Sequence, residues 1–266
     1  MVARFHALTK PQVVSAMPRN ILLMTATIAP LPGIPLLART DPKLRLQDYQ
    51  AALAFYVRLL GNCFDAIIFA ENSNSDVSPL AAAITANSYA AKVEFVSFYG
   101  LDYPPAYGRG YGEFRLVDYA IENSKLLSVD DVIWKVTGRY IVENIKSLVQ
   151  SRPAAADLYC NMRNYPDRLC DLYLMAWTRS GYESAIKGIY PKLRNDVIPN
   201  RLTIEEFSFR NLIDPLLGTM NVVPRFKVAP VVHGVRGWNN TPYSRPWSFK
   251  IMARQLAHKL LPSLWI

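Results

Sequence analysis

Gly108-Arg109-Gly110-Tyr111-Gly112-Glu113, followed further on by Val132-Ile133-Trp134-Lys135-Val136-Thr137-Gly138-Arg139-Tyr140, is the stretch that decides the fold of this chain. The three glycines of the first part permit positive φ and a close approach of backbone to a ligand, as in a glycine-rich turn. Phe114, Val117, Ile121 and Leu127, with Tyr119 and Ala120, then recur at helical spacing over 112–127. Ser128 and the Asp130-Asp131 pair break that helix, and Val132, Ile133, Trp134 and Val136 make a short apolar strand. Lys135, Thr137 and Arg139 supply polar groups at and just beyond its end. Open α/β sheets bind ligands outside the carboxyl ends of their strands, and an arginine beside a lysine there suits a phosphate or diphosphate. The plainer alternative is a well-turned unit whose basic residues only face water.

The same alternation extends to either side. A buried-type strand at 21–27 is followed by a proline-rich loop. Asp41-Pro42 opens a helix with Asp41 as N-cap, Pro42 at the first helical position, and Leu46, Tyr49, Leu53, Tyr56 and Val57 on one face. A strand at 66–70 ends in the polar loop 71–76; a helix at 79–91 and a strand at 93–98 come before the glycines. This order predicts an α/β fold. Strands at 157–162 and 172–178 flank a turn at 164–167, and helices are expected at 182–190 and 203–213. Pro230 confines a last strand at 228–232 to a sheet edge.

With 266 residues, 51% of them hydrophobic, the chain can bury one full core. Thirty Lys and Arg against 21 Asp and Glu give a net charge of +9, which favours an anionic partner. The charge is scattered without long runs, so no nucleic-acid partner is expected. Cys63, Cys160 and Cys170 show no metal-ligand spacing, and a reducing, cytoplasmic location is the simplest reading. The N-terminal segment lacks the apolar core of a signal peptide. Pro30, Pro32, Gly33 and Pro35 rule out a membrane span at 21–37.

The residues 67–73 (Ile67-Ile68-Phe69-Ala70-Glu71-Asn72-Ser73), 94–98 (Glu94-Phe95-Val96-Ser97-Phe98), 108–113 and 135–140, taken in order, resemble a GT-A type glycosyltransferase. More closely, they are similar to a group of bacterial transferases from capsule and lipopolysaccharide gene clusters. Weaker similarity continues through 203–213 and 228–240. The resemblance implies a single GT-A-like, Rossmann-like α/β domain over residues 1–244, with a mostly parallel central sheet flanked by helices. It also implies a nucleotide-sugar donor and a surface-glycan or lipid-linked acceptor. Thr25, Ala26 and Thr27 would hold base and ribose. Glu71 and Asn72 would contact the nucleoside, or else close an Asx-type turn.

GT-A enzymes usually carry Asp-x-Asp on the strand after this helix, where it holds a divalent metal such as Mn or Mg. Here that place reads Lys135-Val136-Thr137-Gly138-Arg139. The expectation is therefore a metal-independent donor site in which Arg139, with Lys135 or Arg109, pairs directly with the diphosphate. Gly110, Gly112, Thr137 and Gly138 belong to the same site. Two alternatives stay open: a non-catalytic nucleotide-sugar or glycan-binding protein, or a different placement of the strand.

Transfer needs a carboxylate to take the acceptor proton. Glu205 and Glu206 open the helix at 203; Glu206 is also the capping-box partner expected of Thr203, which favours Glu205. Asp171 and Asp196 are looser candidates. His233 would touch a phosphate or satisfy a backbone group, Arg236 is a phosphate candidate, and Trp238 would stack on a sugar or pack. Residues 245–266 form a basic amphipathic C-terminal helix with Phe249, Met252, Ala253, Leu256 and Leu260 on one stripe. It reads equally as a peripheral contact with an anionic membrane at its cytoplasmic face or as a docked helix.

Overall fold

Asp41 starts the first helix in the way its sequence requires. Its carboxylate accepts from the backbone N–H groups of Lys43 and Leu44, and Pro42 occupies the first turn. The computed structural model describes residues 18–197 and 203–243, together with Leu256 and Leu260. Its first half alternates β1 (Asn20–Ala26), α1 (Pro42–Val57), β2 (Ala66–Glu71), α2 (Ser78–Ile84), β3 (Val93–Ser97), α3 (Gly108–Asn123) and β4 (Val132–Thr137). Next come β5 (Ile141–Val142), α4 (Ile145–Ser151) and a hairpin of β6 (Leu158–Arg163) and β7 (Leu169–Trp177). Short α5 (Arg179–Gly181), α6 (Ile204–Ile213), β8 (Val222–Val223) and β9 (Val232–His233) complete the described elements.

Seven strands form one sheet in the order β3-β2-β1-β4-β7-β6-β8. Four pairings are parallel and two, both made by β7, are antiparallel. The fold is thus a mostly parallel α/β sheet flanked by helices, as read from the sequence. Leu22, Met24, Trp134 and Val136 pack on the α1–α2 face, while Ile21, Leu23 and Ile133 pack with Phe114 of α3 and Phe209 of α6 on the other. From β1 the chain moves outward to β2 and β3, and α3 then returns it to β4 on the opposite side of β1. The β1/β4 junction is therefore the topological switch point, where open α/β sheets form a ligand crevice.

Several local expectations are corrected. The glycines do not form a loop ahead of α3, because the helix begins at Gly108 itself. They admit close neighbours instead. A Cβ on Gly110 would lie 2.6 Å from Glu205 Cβ, and one on Gly112 would lie 2.1 Å from the Tyr103 hydroxyl. The helix expected over 79–91 stops at Ile84, and the one over 182–190 is a π-helical turn at Tyr182–Ile186. No strand runs over 228–232. The last main-sheet strand is β8, and β9 pairs with β5 in a separate ribbon. Both pieces are two residues long; Pro224 directly follows β8 and Pro230 lies two residues before β9, and neither can donate to a ladder. The three cysteines are free and buried. Among the described residues no helix is long and apolar enough to cross a membrane. The tail at 245–266 lies outside the described residues except for Leu256 and Leu260, both exposed.

Candidate active site

A cleft of about 510 Å³ opens at the carboxyl ends of β1 and β4. Its floor is tied together by hydrogen bonds. Gly138 donates its backbone N–H to the Thr25 carbonyl at 2.8 Å. A Cβ at Gly138 would stand 2.8 Å from that oxygen, so this junction closes only around glycine. Glu113 projects from α3 onto the same floor. Its Oε1 accepts from Thr25 Oγ1 at 2.6 Å, Thr137 Oγ1 at 2.8 Å and Lys135 Nζ at 2.6 Å. Among the described residues nothing donates to its Oε2, and 21% of the side chain is exposed. Burial works against the Glu113 charge, but the Lys135 ammonium and the three hydrogen bonds outweigh it and hold the carboxyl below its usual range. Burial lowers the Lys135 pKa in turn, against the pull of Glu113.

Lys135 is thus placed differently from expectation. It is completely buried, donates to the Leu172 carbonyl at 2.5 Å, and sits beneath the floor rather than facing a ligand. A lysine alternating inward on a central strand needs a carboxylate, and Glu113 supplies it.

The cations that do line the cleft near the strand ends are Arg139, Arg236 and Arg45 of α1. Arg139 is 6% exposed and donates to the Val235 carbonyl at 2.9 Å, while its Nε is buried without a partner. Its nearest carboxylate, Asp48, is 3.9 Å away and is gripped from the other side by Arg39 at 2.9 and 3.0 Å. Arg45 donates to the Thr27 carbonyl at 2.6 Å and the Tyr49 hydroxyl at 3.1 Å. Burial, with the nearby Arg139 charge, lowers its pKa. Arg236 lies over the Tyr243 ring at 4.7 Å. A divalent cation does not fit here: the strand end offers no carboxylate pair, Glu113 Oε1 already serves three donors, and two arginines stand close by. Among the described residues no group of three His, Cys, Asp or Glu side chains is placed to hold a metal.

At the other side of the cleft, Arg109 pairs with Glu205 at 2.6 Å. Thr203 makes no side-chain cap, so the capping box expected with Glu206 does not form. Glu206 lines the cleft instead, with Oε2 buried and unpartnered. Burial, then the charge of Glu205, push its pKa up to about 8. Asn161 and Arg163 of β6 and Asp171 of β7 complete this side.

Thr25, Ala26, Thr27, Arg109, Gly110, Gly112, Thr137, Arg139, Glu205, Glu206, Arg236 and Trp238 all line the cleft. Glu71, Asn72, Gly138 and His233 do not. Glu71 is fully buried and accepts from the backbone N–H groups of Ile28 and Ser73 at 3.0 Å and Ser75 at 3.1 Å, which is the turn-closing role. Asn72 accepts from Thr27 Oγ1 at 2.7 Å and donates to the Gly112 carbonyl at 3.3 Å, bracing β1 against α3. His233 pairs with Glu143 at 2.8 Å, and Asp196 pairs with Arg194 at the surface. Sequence reasoning gave no role to Glu113, Arg45, Asn161 or Arg163. A lysine inside an apolar strand was the signal for Glu113. Arg45, four residues before Tyr49 on the buried face of α1, was the signal for the arginine cluster.

No protein family and no curated protein matches the sequence. Solved structures with a similar course of chain include the galactosyltransferase LgtC with donor and acceptor sugar analogues, at 10% identity, 92% of this chain, 95% of that one and a TM-score of 0.47. WbbM, a bifunctional glycosyltransferase, is similar at 8% identity over 77% of this chain and 38% of its own length, with a TM-score of 0.42. A 4-diphosphocytidyl-2C-methyl-D-erythritol synthase is similar at 12% identity over 91% of this chain and 100% of that one, also at 0.42.

Proposed function

We propose that this protein is a glycosyltransferase that uses a nucleotide-sugar donor, binds its diphosphate through arginines in place of a metal, and transfers the sugar to a glycan or lipid-linked acceptor. The observation that carries the proposal is the set of three arginines, Arg45, Arg139 and Arg236, at the switch point of the sheet. Arg45 and Arg139 are nearly completely buried, and among the described residues Arg139 has no carboxylate nearer than 3.9 Å. Buried guanidinium groups with spare donors favour an anion of matching planar geometry.

In this reading Arg139 and Arg45 take the diphosphate, and their charge stabilises the nucleoside diphosphate as it leaves. Glu206, rather than Glu205, accepts the proton of the acceptor hydroxyl while that oxygen bonds to the anomeric carbon. Glu205 is already committed to Arg109 through its Oε1, whereas the Glu206 carboxyl has no ion-pair partner among the described residues and its pKa is moved close to working pH. Glu113, held ionised on the floor, offers its free oxygen to a donor hydroxyl.

The test is calorimetry and thermal shift with UDP, GDP, CDP and ADP in EDTA. One of them should bind and raise the melting temperature without added metal. Arg139→Ala should lower that affinity at least tenfold and leave the melting temperature of the free protein within a few degrees. Binding that appears only with Mn²⁺ or Mg²⁺ rejects the metal-free donor site, and an absence of nucleotide binding rejects the function.

A further inference from the structure

The hairpin β6–β7 carries a polar row that the diphosphate and the proton transfer leave unused. Asn161 and Asp171 are directly opposite one another in the ladder. Asn161 Nδ2 donates to Asp171 Oδ2 at 2.8 Å, and Arg163 Nη2 donates to Asp171 Oδ1 at 2.6 Å. One carboxylate therefore locks an amide and a guanidinium into a fixed array along the cleft wall. The array has capacity left over. Asn161 is only 8% exposed, yet among the described residues nothing donates to its Oδ1. Arg163 keeps 23% of its side chain exposed, with no acceptor for Nη1 among the described residues. An acceptor and a donor are thus held side by side facing the cleft.

Aromatic rings adjoin this row. Tyr173 shares the cleft-facing side of β7 with Asp171, and the Tyr173, Tyr140 and Tyr243 rings meet at centroid distances of 5.1, 6.4 and 6.5 Å. All three line the same cleft. Fixed planar polar groups beside aromatic faces suit a pyranose, which presents hydroxyls at its rim and C–H groups on its faces.

We propose that Asn161, Arg163 and Asp171, with the tyrosine wall, form a subsite for a neutral saccharide, gripped through two adjacent hydroxyls. The assignment rests on the function proposed above only in making this sugar the acceptor. Two observations argue for that role. Glu206 lines the same cleft as Asp171 and Arg163, and their charges act on one another. Among the described residues that line this wall the charges are also matched, Arg163 by Asp171 and Arg109 by Glu205, so no lining cation is left over to attract an anionic sugar or a lipid diphosphate; Arg225, whose charge also acts on Asp171, does not line the cleft. The surplus lies with Arg45 and Arg139 at the strand ends.

The experiment is saturation-transfer NMR on the full chain with methyl glucoside, methyl galactoside and methyl mannoside, compared with methyl glucuronide and farnesyl diphosphate. At least one neutral glycoside should receive saturation without any nucleotide present. Asn161→Ala, which leaves the Arg163–Asp171 pair in place, should weaken its binding roughly tenfold, the loss of one well-placed hydrogen bond. Asp171→Asn should weaken it as much or more. Nucleoside diphosphate affinity, measured on the same samples, should stay within twofold of wild type. That control also reports whether a variant is folded. Absence of saturation for every neutral glycoside overturns the subsite, as does binding untouched by Asn161→Ala, or preference for the glucuronide or farnesyl diphosphate. Sugar binding without any nucleotide binding would instead sink the transferase reading and leave the saccharide site standing.

Discussion

Replacing Lys135 by methionine should destabilise the protein strongly, and removing the Glu113 charge as well should restore much of the loss. Lys135 is completely buried, and its ammonium meets Glu113 Oε1, the Leu172 carbonyl and, at 3.4 Å, Thr137 Oγ1. Lys135→Met leaves a half-buried carboxylate with Glu206 in the same cleft and only two hydroxyl donors. Breaking a buried pair by removing one partner costs about 3–5 kcal/mol. For a domain of this size each kcal/mol moves the melting temperature by roughly 2–4 °C, so the drop should be on the order of 6–20 °C. In Lys135→Met/Glu113→Gln the amide still accepts from Thr25 and Thr137, and no charge is stranded. Urea unfolding of wild type, both single variants and the double variant gives the coupling energy directly. A double variant no more stable than Lys135→Met would refute the reasoning, because the lysine would then matter for its packing and not for the charge it balances.

Glu206 should leave a signature in pH. Its pKa is about 8 in the native state and roughly 4.3 in an unfolded chain, so the native state holds the extra proton between those values. Stability should therefore fall as pH rises from about 4.3 to 8 and then level off. Glu206→Gln should remove that fall, seen in urea midpoints across the pH range, and transfer by the wild type should rise with pH toward a plateau above about 8. Gly138→Ala should cost about 1–3 kcal/mol and weaken nucleotide binding, since its Cβ would meet backbone, whereas Gly218→Ala, with nothing within 4 Å, should unfold like wild type in the same denaturation series.

The parallel half of the fold was legible because its signals are local. Asp41-Pro42 announces a helix start, and the apolar runs of β1, β2 and β4 can only be buried strands. The second half was read less well. Val222–Val223 and Val232–His233 are too short to show a period of two, and the turn at 182–186 resembles an ordinary helix in its apolar spacing. In the cleft, residue types and strand ends located Thr25, Thr137 and Arg139. Lys135 lies beneath the floor and not among the ligand groups, because its alternation along the strand turns it inward although a charge next to a strand end looks like a ligand group. Glu113 is hard to single out in the sequence because the glycines before it suggest a loop, although their bare faces serve to seat Tyr103, Asn195 and Glu205 against α3. Glu206 could not be separated from Glu205 without knowing that Thr203 makes no cap and that Arg109 reaches Glu205.

The reversal of β7 has a consequence for how such a molecule can diversify. The arginines at the strand ends come chiefly from segments before residue 140, while the polar row at 161–171 hangs on a hairpin that touches β4 along one antiparallel seam. Changes at the hairpin's turn or at Asn161, Arg163 and Asp171 touch none of the hydrogen bonds that tie Thr25, Glu113, Lys135, Thr137 and Gly138 together. Descendants of this chain can therefore exchange what is recognised on one wall while inheriting the other unchanged, and sequence drift should be steeper on the hairpin than at Thr25, Thr137 and Gly138.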